Sequence, residues 1–152
     1  MDSVLSGASG MEVVNVRVFP QSRDTVFGAF ENPDQLARWW GPKGFRSTVK
    51  TFDFRAGGVW RMVLHGPDGT DYDNESTFVE VVKPERVVFN HSGPVHPYRM
   101  TMTFEDVAGQ TRLTWRMLSQ PNAETDKLKD FFAEANEQNF DRLGLHLETR
   151  GR

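Results

Sequence analysis

The sequence predicts an α+β fold in which one curved antiparallel sheet closes over a long C-terminal helix, and three observations carry that expectation. Residues 45–120 read as short strands of alternating polarity broken by Gly- and Pro-containing turns. Two short helical segments precede this run. Residues 124–149 form a proline-free stretch with Leu128, Phe132, Ala135, Asn139, Leu143 and Leu147 at steps of three and four. An antiparallel sheet has one apolar face to cover, and nothing else in the chain is long enough to cover it.

Ser6-Gly7-Ala8-Ser9-Gly10 is small and polar, so residues 1–11 are expected to form a frayed tail ahead of a single domain over residues 12–150. Glu12 to Phe19 alternates with Val14, Val16 and Val18 on one face, which predicts a half-buried strand ended by Pro20. Ser22 or a neighbour caps a helix from Arg23 to Glu31, with Val26, Phe27 and Phe30 at helical spacing. Asn32-Pro33 starts a second helix carrying Leu36, Trp39 and Trp40, and Gly41-Pro42 ends it. Strands follow at Phe45 to Arg55, Val59 to His65, Tyr72 to Val82, Arg86 to His91, Tyr98 to Asp106 and Thr111 to Ser119. Their short connections predict an antiparallel meander of six strands, seven with the first. After Pro121, Asn122 or Thr125 caps the last helix, Glu124 to Thr149, about 25 residues and so ~37 Å long. The order is that of a helix-grip architecture.

Period-two reading assigns the inner faces: Trp60, Met62 and Leu64; Tyr98, Met100, Met102 and Phe104; Leu113, Trp115 and Met117. His91 shares the face of Val87 and Phe89. Between Tyr72 and Val82 two sets compete, Ser76, Phe78 and Val82 against Thr77, Val79 and Val81; the second would turn Asp73 and Glu75 inward.

Composition narrows the function. The 152 residues fit one domain with a real core. A net charge of −3 lacks the basic field that phosphate backbones need, so nucleic acid is not an expected partner. With no cysteine, disulfides, thiolate zinc sites and cysteine nucleophiles are excluded. No apolar run reaches membrane-span length and no signal peptide is evident, so a cytoplasmic protein without membrane insertion is expected. The apolar content is concentrated in large side chains, 12 Phe, 4 Trp, 2 Tyr and 6 Met. Such groups either fill the space under the helix or line a cavity for an apolar or aromatic ligand.

On the cavity reading the walls are Trp40, Trp60, Met62, Tyr98, Met100, Trp115 and Phe132, with His91, Glu75 and Asn136 as polar anchors. Asn136 and Asn139 stand where Leu or Phe would be expected on the helix stripe, so each must reach water, a partner or a ligand; Asn139 is assigned to solvent at the cavity mouth. If His91 and Glu75 face each other, they form an acid/base pair for proton transfer, and these two are the candidate catalytic residues of an enzyme reading. His91 and His96 flank the Gly93-Pro94 turn and would offer two imidazoles to a metal only if Glu75 or Asp73 supplied a third ligand; there is no His-Glu-x-x-His pattern, and no metal site is expected. Gly57-Gly58 and Gly66 to Gly69 lead into strands, not helices, and are turns instead of phosphate loops. Spacing alone identifies no Ser-His-Asp arrangement.

Trp39-Trp40-Gly41-Pro42, Asp53-Phe54-Arg55-Ala56-Gly57-Gly58-Val59-Trp60, Gly66-Pro67-Asp68-Gly69, Pro84-Glu85-Arg86-Val87 and Asp141-Arg142-Leu143 together resemble the START-like (SRPBCC, Bet v 1-type) superfamily. Within it they are similar to the branch of the C-terminal domain of the activator of Hsp90 ATPase, AHSA1-like, over about Glu12 to Glu148. The resemblance implies a deep hydrophobic cavity between sheet and C-terminal helix. Its members include lipid carriers, hormone receptors and polyketide cyclases, so the fold alone does not give the activity. Related proteins often carry Trp where Asn136 stands, which implies a roomier or more polar pocket here. The expected role is binding of an apolar or aromatic, lipid-like small molecule, without a cofactor. A cyclase or aromatase-like enzyme and a chaperone-interacting module are the alternatives, although a chaperone is not the expected partner. Homodimer formation is compatible with the sequence.

Overall fold

The computed structural model describes residues 11–92, 97–119 and 128–150. In chain order these form β1 (Met11–Phe19), α1 (Arg23–Glu31), α2 (Pro33–Trp39), β2 (Arg46–Phe52), β3 (Val59–His65), β4 (Asp71–Val82), β5 (Arg86–Ser92), β6 (Tyr98–Val107), β7 (Gln110–Ser119) and α3 (Lys129–Arg150). His96 and the expected caps Asn122 and Thr125, with Glu124, lie outside the described residues. All strands pair antiparallel in one sheet of order β1-β7-β6-β5-β4-β3-β2. The α+β helix-grip fold is therefore the one the sequence predicts. Among the described residues no helix is long and apolar enough to cross a membrane.

Local chemistry sets the helix ends. Ser22 caps α1 by accepting from the Thr25 amide. Asn32 serves both helices: its N–H donates to Gly28 at the end of α1, and its Oδ1 accepts from the Asp34 and Gln35 amides at the start of α2. Pro33 in the first turn of α2 lacks an N–H that the helix would leave unpaired anyway.

The alternation read in β3, β6 and β7 holds: Trp60, Met62, Met100, Met102, Phe104, Leu113, Trp115 and Met117 are all buried. Strand β4 was ambiguous for a physical reason. A bulge between Phe78 and Glu80 changes the period, so Ser76 and Phe78 face inward before it, Val81 packs on the core after it, and Val79 is left exposed. Asp73 and Glu75 accordingly face outward.

Strand β1 corrects the sequence reading. Val14, Val16 and Val18 are 43%, 50% and 44% exposed, and the inward residues are Val13, Asn15, Arg17 and Phe19. The cause is the polar flank of α3. Asn15 Nδ2 donates to the Ala133 carbonyl at 3.1 Å and to Glu137 Oε2 at 2.7 Å, and its Oδ1 accepts from Asn136 Nδ2 at 3.0 Å. Arg17 adds ion pairs to Glu137 at 2.8 Å and Asp141 at 2.7 Å. Burial works against the Arg17 charge, but the bonds to Asp141 and Glu137 outweigh it and raise its pKa.

The Trp-Trp-Gly-Pro segment is the hinge between α2 and β2, and α3 holds it by polar contacts. Asn139 donates to the Trp39 carbonyl at 2.9 Å and accepts from the Gly41 amide at 3.3 Å. Arg142 Nη1 donates to the Gly41 and Pro42 carbonyls at 3.0 and 3.1 Å. Asn139 is thus buried and fully engaged, not solvated at a cavity mouth.

Candidate functional site

Sheet register assembles a polar row across the aromatic part of the inner face. Trp60 lies opposite Ser76, Ser76 opposite His91, His91 opposite Tyr98 and Tyr98 opposite Ser119, one residue from each of β3, β4, β5, β6 and β7. Each position follows from alternation with buried neighbours such as Met62, Phe78, Phe89, Met100 and Met117. Trp40, at the end of α2, covers the β3 end of this row with its ring 5.0 Å from that of Trp60.

A pocket opens where these groups meet, lined by Trp40, Trp60, Met62, Asn74, Ser76, Phe89, His91 and Tyr98. Ser76 Oγ and His91 Nδ1 are 3.5 Å apart, and the His91 and Tyr98 rings stack at 4.8 Å. Burial pushes the Tyr98 phenol above the ordinary tyrosine range, so it stays neutral and able to donate. The Trp60 indole N–H is buried and finds no partner among the described residues; the Ser119 hydroxyl and Trp115 indole share that condition. A buried donor left unpaired costs roughly 1–3 kcal/mol.

The pocket itself is small. Its interior of about 10 Å³ is the room of about one water molecule. The wide cavity implied by resemblance is occupied by rings: Trp40 lies 5.3 Å from Trp115, Trp60 stacks on Phe78, and Phe89 closes on Trp60 at 5.2 Å. The three tryptophans expected to converge do so, but as a filled cluster.

Of the expected site residues, the fold brings Trp40, Trp60, Met62, His91 and Tyr98 together at the pocket. Met100 and Trp115 are buried in the core beneath it, and Phe132 packs partly buried against that core. Two expectations fail. Glu75 points to the opposite face of the sheet, its side chain 50% exposed and bonded to Arg61 at 3.0 Å, so it cannot pair with His91. Asn136 donates to Asn15 and belongs to the β1–α3 contact. Ser76 and Asn74 were missed as pocket residues because the β4 bulge hid which alternate set faces inward; small polar residues among strand formers were the available signal.

Residues 20–148 match the family model described as Activator of Hsp90 ATPase homolog 1-like protein (AHSA1). The chain belongs to this family. Solved structures with the same fold include a protein from Arthrobacter aurescens, 24% identical with a TM-score of 0.85 over 97% of this chain and 91% of that one. The AHSA1 protein from Silicibacter pomeroyi is 19% identical, with a TM-score of 0.77 over 92% of this chain and 99% of that one. A protein from Chromobacterium violaceum is 23% identical, with a TM-score of 0.76 over 90% and 96%. At these identities the likeness establishes the AHSA1-like fold and leaves the site to be argued from its own residues. No curated protein matches the chain at a significant level.

Proposed function

We propose that this AHSA1-like chain binds a compact, flat, mostly apolar molecule carrying a hydrogen-bond acceptor, with the acceptor on the Trp60–Ser76–His91–Tyr98 row. The observation that carries the reading is the buried Trp60 N–H with no partner among the described residues, set beside Ser76, His91 and Tyr98 on a wall otherwise rich in rings. An acceptor placed there offsets the cost of the unpaired donor, and the ligand's rings stack among Trp40, Trp60 and Phe89. A long acyl chain suits the site less well than an aromatic ketone, because the rings leave little room. Trp40 is the most exposed of the four tryptophans and stands at a helix end, so it is the ring that yields on entry. Proton transfer by a His91–Glu75 pair is not part of the proposal, since the two side chains lie on opposite faces. The absence of cysteine from the sequence suits a reducing, cytoplasmic setting.

Titration of intrinsic tryptophan emission with a panel of bicyclic aromatic ketones and saturated fatty acids tests this. The aromatic ketones are expected to quench and to bind more tightly than the acids, and Ser76→Val with His91→Phe should weaken them about tenfold, the effect of ~1.4 kcal/mol. No saturable change with any compound, together with nothing retained by freshly purified protein in native mass spectrometry, would falsify the reading.

A further inference from the structure

The outer face of the sheet carries a second constellation, remote from the pocket row. Thr48 on β2, His65 on β3 and Asp71 on β4 form a continuous chain: Thr48 Oγ1 lies 2.7 Å from His65 Nε2, and His65 Nδ1 lies 2.7 Å from Asp71 Oδ1. The register explains the alignment, since His65 is directly opposite Asp71 and Thr48 is opposite Val63, two residues along the same face. A carboxylate accepts only, so the His65 Nδ1–H donates to Asp71. In the neutral imidazole that leaves the Nε2 lone pair facing the Thr48 hydroxyl. A nucleophile on a base that is itself oriented by a third group is the arrangement that activates a hydroxyl for covalent chemistry.

The chain of three sits beside a place for a substrate. Val63 and Asp73, the next row on this face, line a groove of about 480 Å³ with Lys50, Thr51, Arg61, Glu75 and Ser92, and Met62 and Asn74, which also line the inner pocket, complete it. Lys50 and Arg61 present cations and Asp73 and Glu75 carboxylates, with Arg61 and Glu75 paired. The charged groups of this lining suit a polar acyl compound.

We infer that Thr48, His65 and Asp71 constitute an acyl-accepting site for activated esters of polar carboxylic acids. Thr48 Oγ1 attacks the ester carbonyl carbon while its proton passes to His65 Nε2. The tetrahedral adduct then collapses, its bond to the alkoxy oxygen breaks, and the leaving alcohol takes the proton from Nε2. Water repeats the sequence on the Thr48 ester, releasing the carboxylic acid and restoring the hydroxyl. Nothing is oxidised or reduced, and no cofactor enters. Thr48 is the catalytic nucleophile, His65 the base and Asp71 a positioning residue.

The full chain incubated with p-nitrophenyl acetate provides the test, with nitrophenolate release followed by absorbance and the acylated residue located by peptide mass spectrometry. The expected result is an acetyl ester on Thr48 that disappears in Thr48→Val and His65→Gln. Asp71→Asn should slow acylation at least about tenfold, because the imidazole loses the partner that fixes its tautomer, and Asp71→Glu should restore most of it. All these positions are on the sheet surface, so unchanged melting temperatures check that the variants remain folded. Acetylation confined to Lys50 or other lysines, release at an unchanged rate in Thr48→Val, or no acetyl on Thr48 in the wild-type chain each overturns the inference.

Discussion

Asn139 shows how much one side chain decides. Its amide meets the Trp39 carbonyl and its carbonyl oxygen meets the Gly41 amide, both at the hinge that positions Trp40 over the pocket. Asn139→Ala strands two buried backbone groups, each costing ~1–3 kcal/mol, and should destabilise the fold by about 2–4 kcal/mol in urea unfolding at unchanged m-value. Asn136→Ala removes a bond that Asn15 can partly replace, and should cost about 1 kcal/mol or less. The sequence marks both asparagines as anomalies on an apolar stripe, yet spacing does not reveal a partner more than 90 residues away. Tyr98 supplies a pH prediction. Its folded pKa is raised by burial above that of an unfolded tyrosine, ~10. Its contribution is therefore intact below pH ~10 and is lost as the pH rises further, because the unfolded chain releases the proton first. Comparing urea midpoints at pH 8 and 11, the wild type should lose more stability than Tyr98→Phe.

Elements show where a period is trustworthy. In β3, β6 and β7 the alternation is unbroken and every inward residue is readable from sequence. In β4 one extra residue at the bulge shifts the pattern, and Glu75 is misassigned as a result. In β1 the inward side is half polar because the covering helix is polar there, so hydrophobicity alone chooses the wrong face. The turn before β3 is a different case, legible as a turn but not as a support. Gly57 N–H donates to the Phe78 carbonyl and the Phe78 N–H to the Gly58 carbonyl, so the Gly-Gly pair extends the pairing beside β4. A Cβ on Gly58 would lie 1.9 Å from the Asp53 carbonyl oxygen, whereas one on Gly57 meets nothing and only strains a φ of +85°. Gly58→Ala should therefore destabilise by more than about 3 kcal/mol and Gly57→Ala by about 1–2 kcal/mol, read from denaturant midpoints.

Across the whole molecule, the sheet has two chemically distinct sides. Among the described residues, the inner side is packed with rings around the polar row and turns polar at β1, where Asn15 and Arg17 meet α3; the outer side carries charged pairs, Glu12 with Arg116 among them, and at β1 also leaves three valines in water. That edge is a template for unwanted pairing. Val16→Lys should leave the melting temperature within about 2 °C, as expected of a surface change worth less than ~0.5 kcal/mol, and should reduce light scattering at high concentration. Val13→Lys, on the buried side of the same strand, should unfold the protein. The overall fold, the meander and the convergence of tryptophans were legible because they depend on periodicity and turn chemistry. The filled state of the interior was not, since whether large rings enclose space or occupy it is settled by fractions of an ångström that no pattern encodes.

The placement of β1 also bears on the order of assembly. From β2 to β7 each strand pairs with its neighbour in sequence, whereas β1 finds β7 and α3 through contacts such as that of Asn15 with Ala133, 118 residues apart. Local hairpins close quickly, and a loop of this length closes late. Among the described strands, β1 is made before the other six and is among the last to find its place, because its partners β7 and α3 follow it only after five other strands.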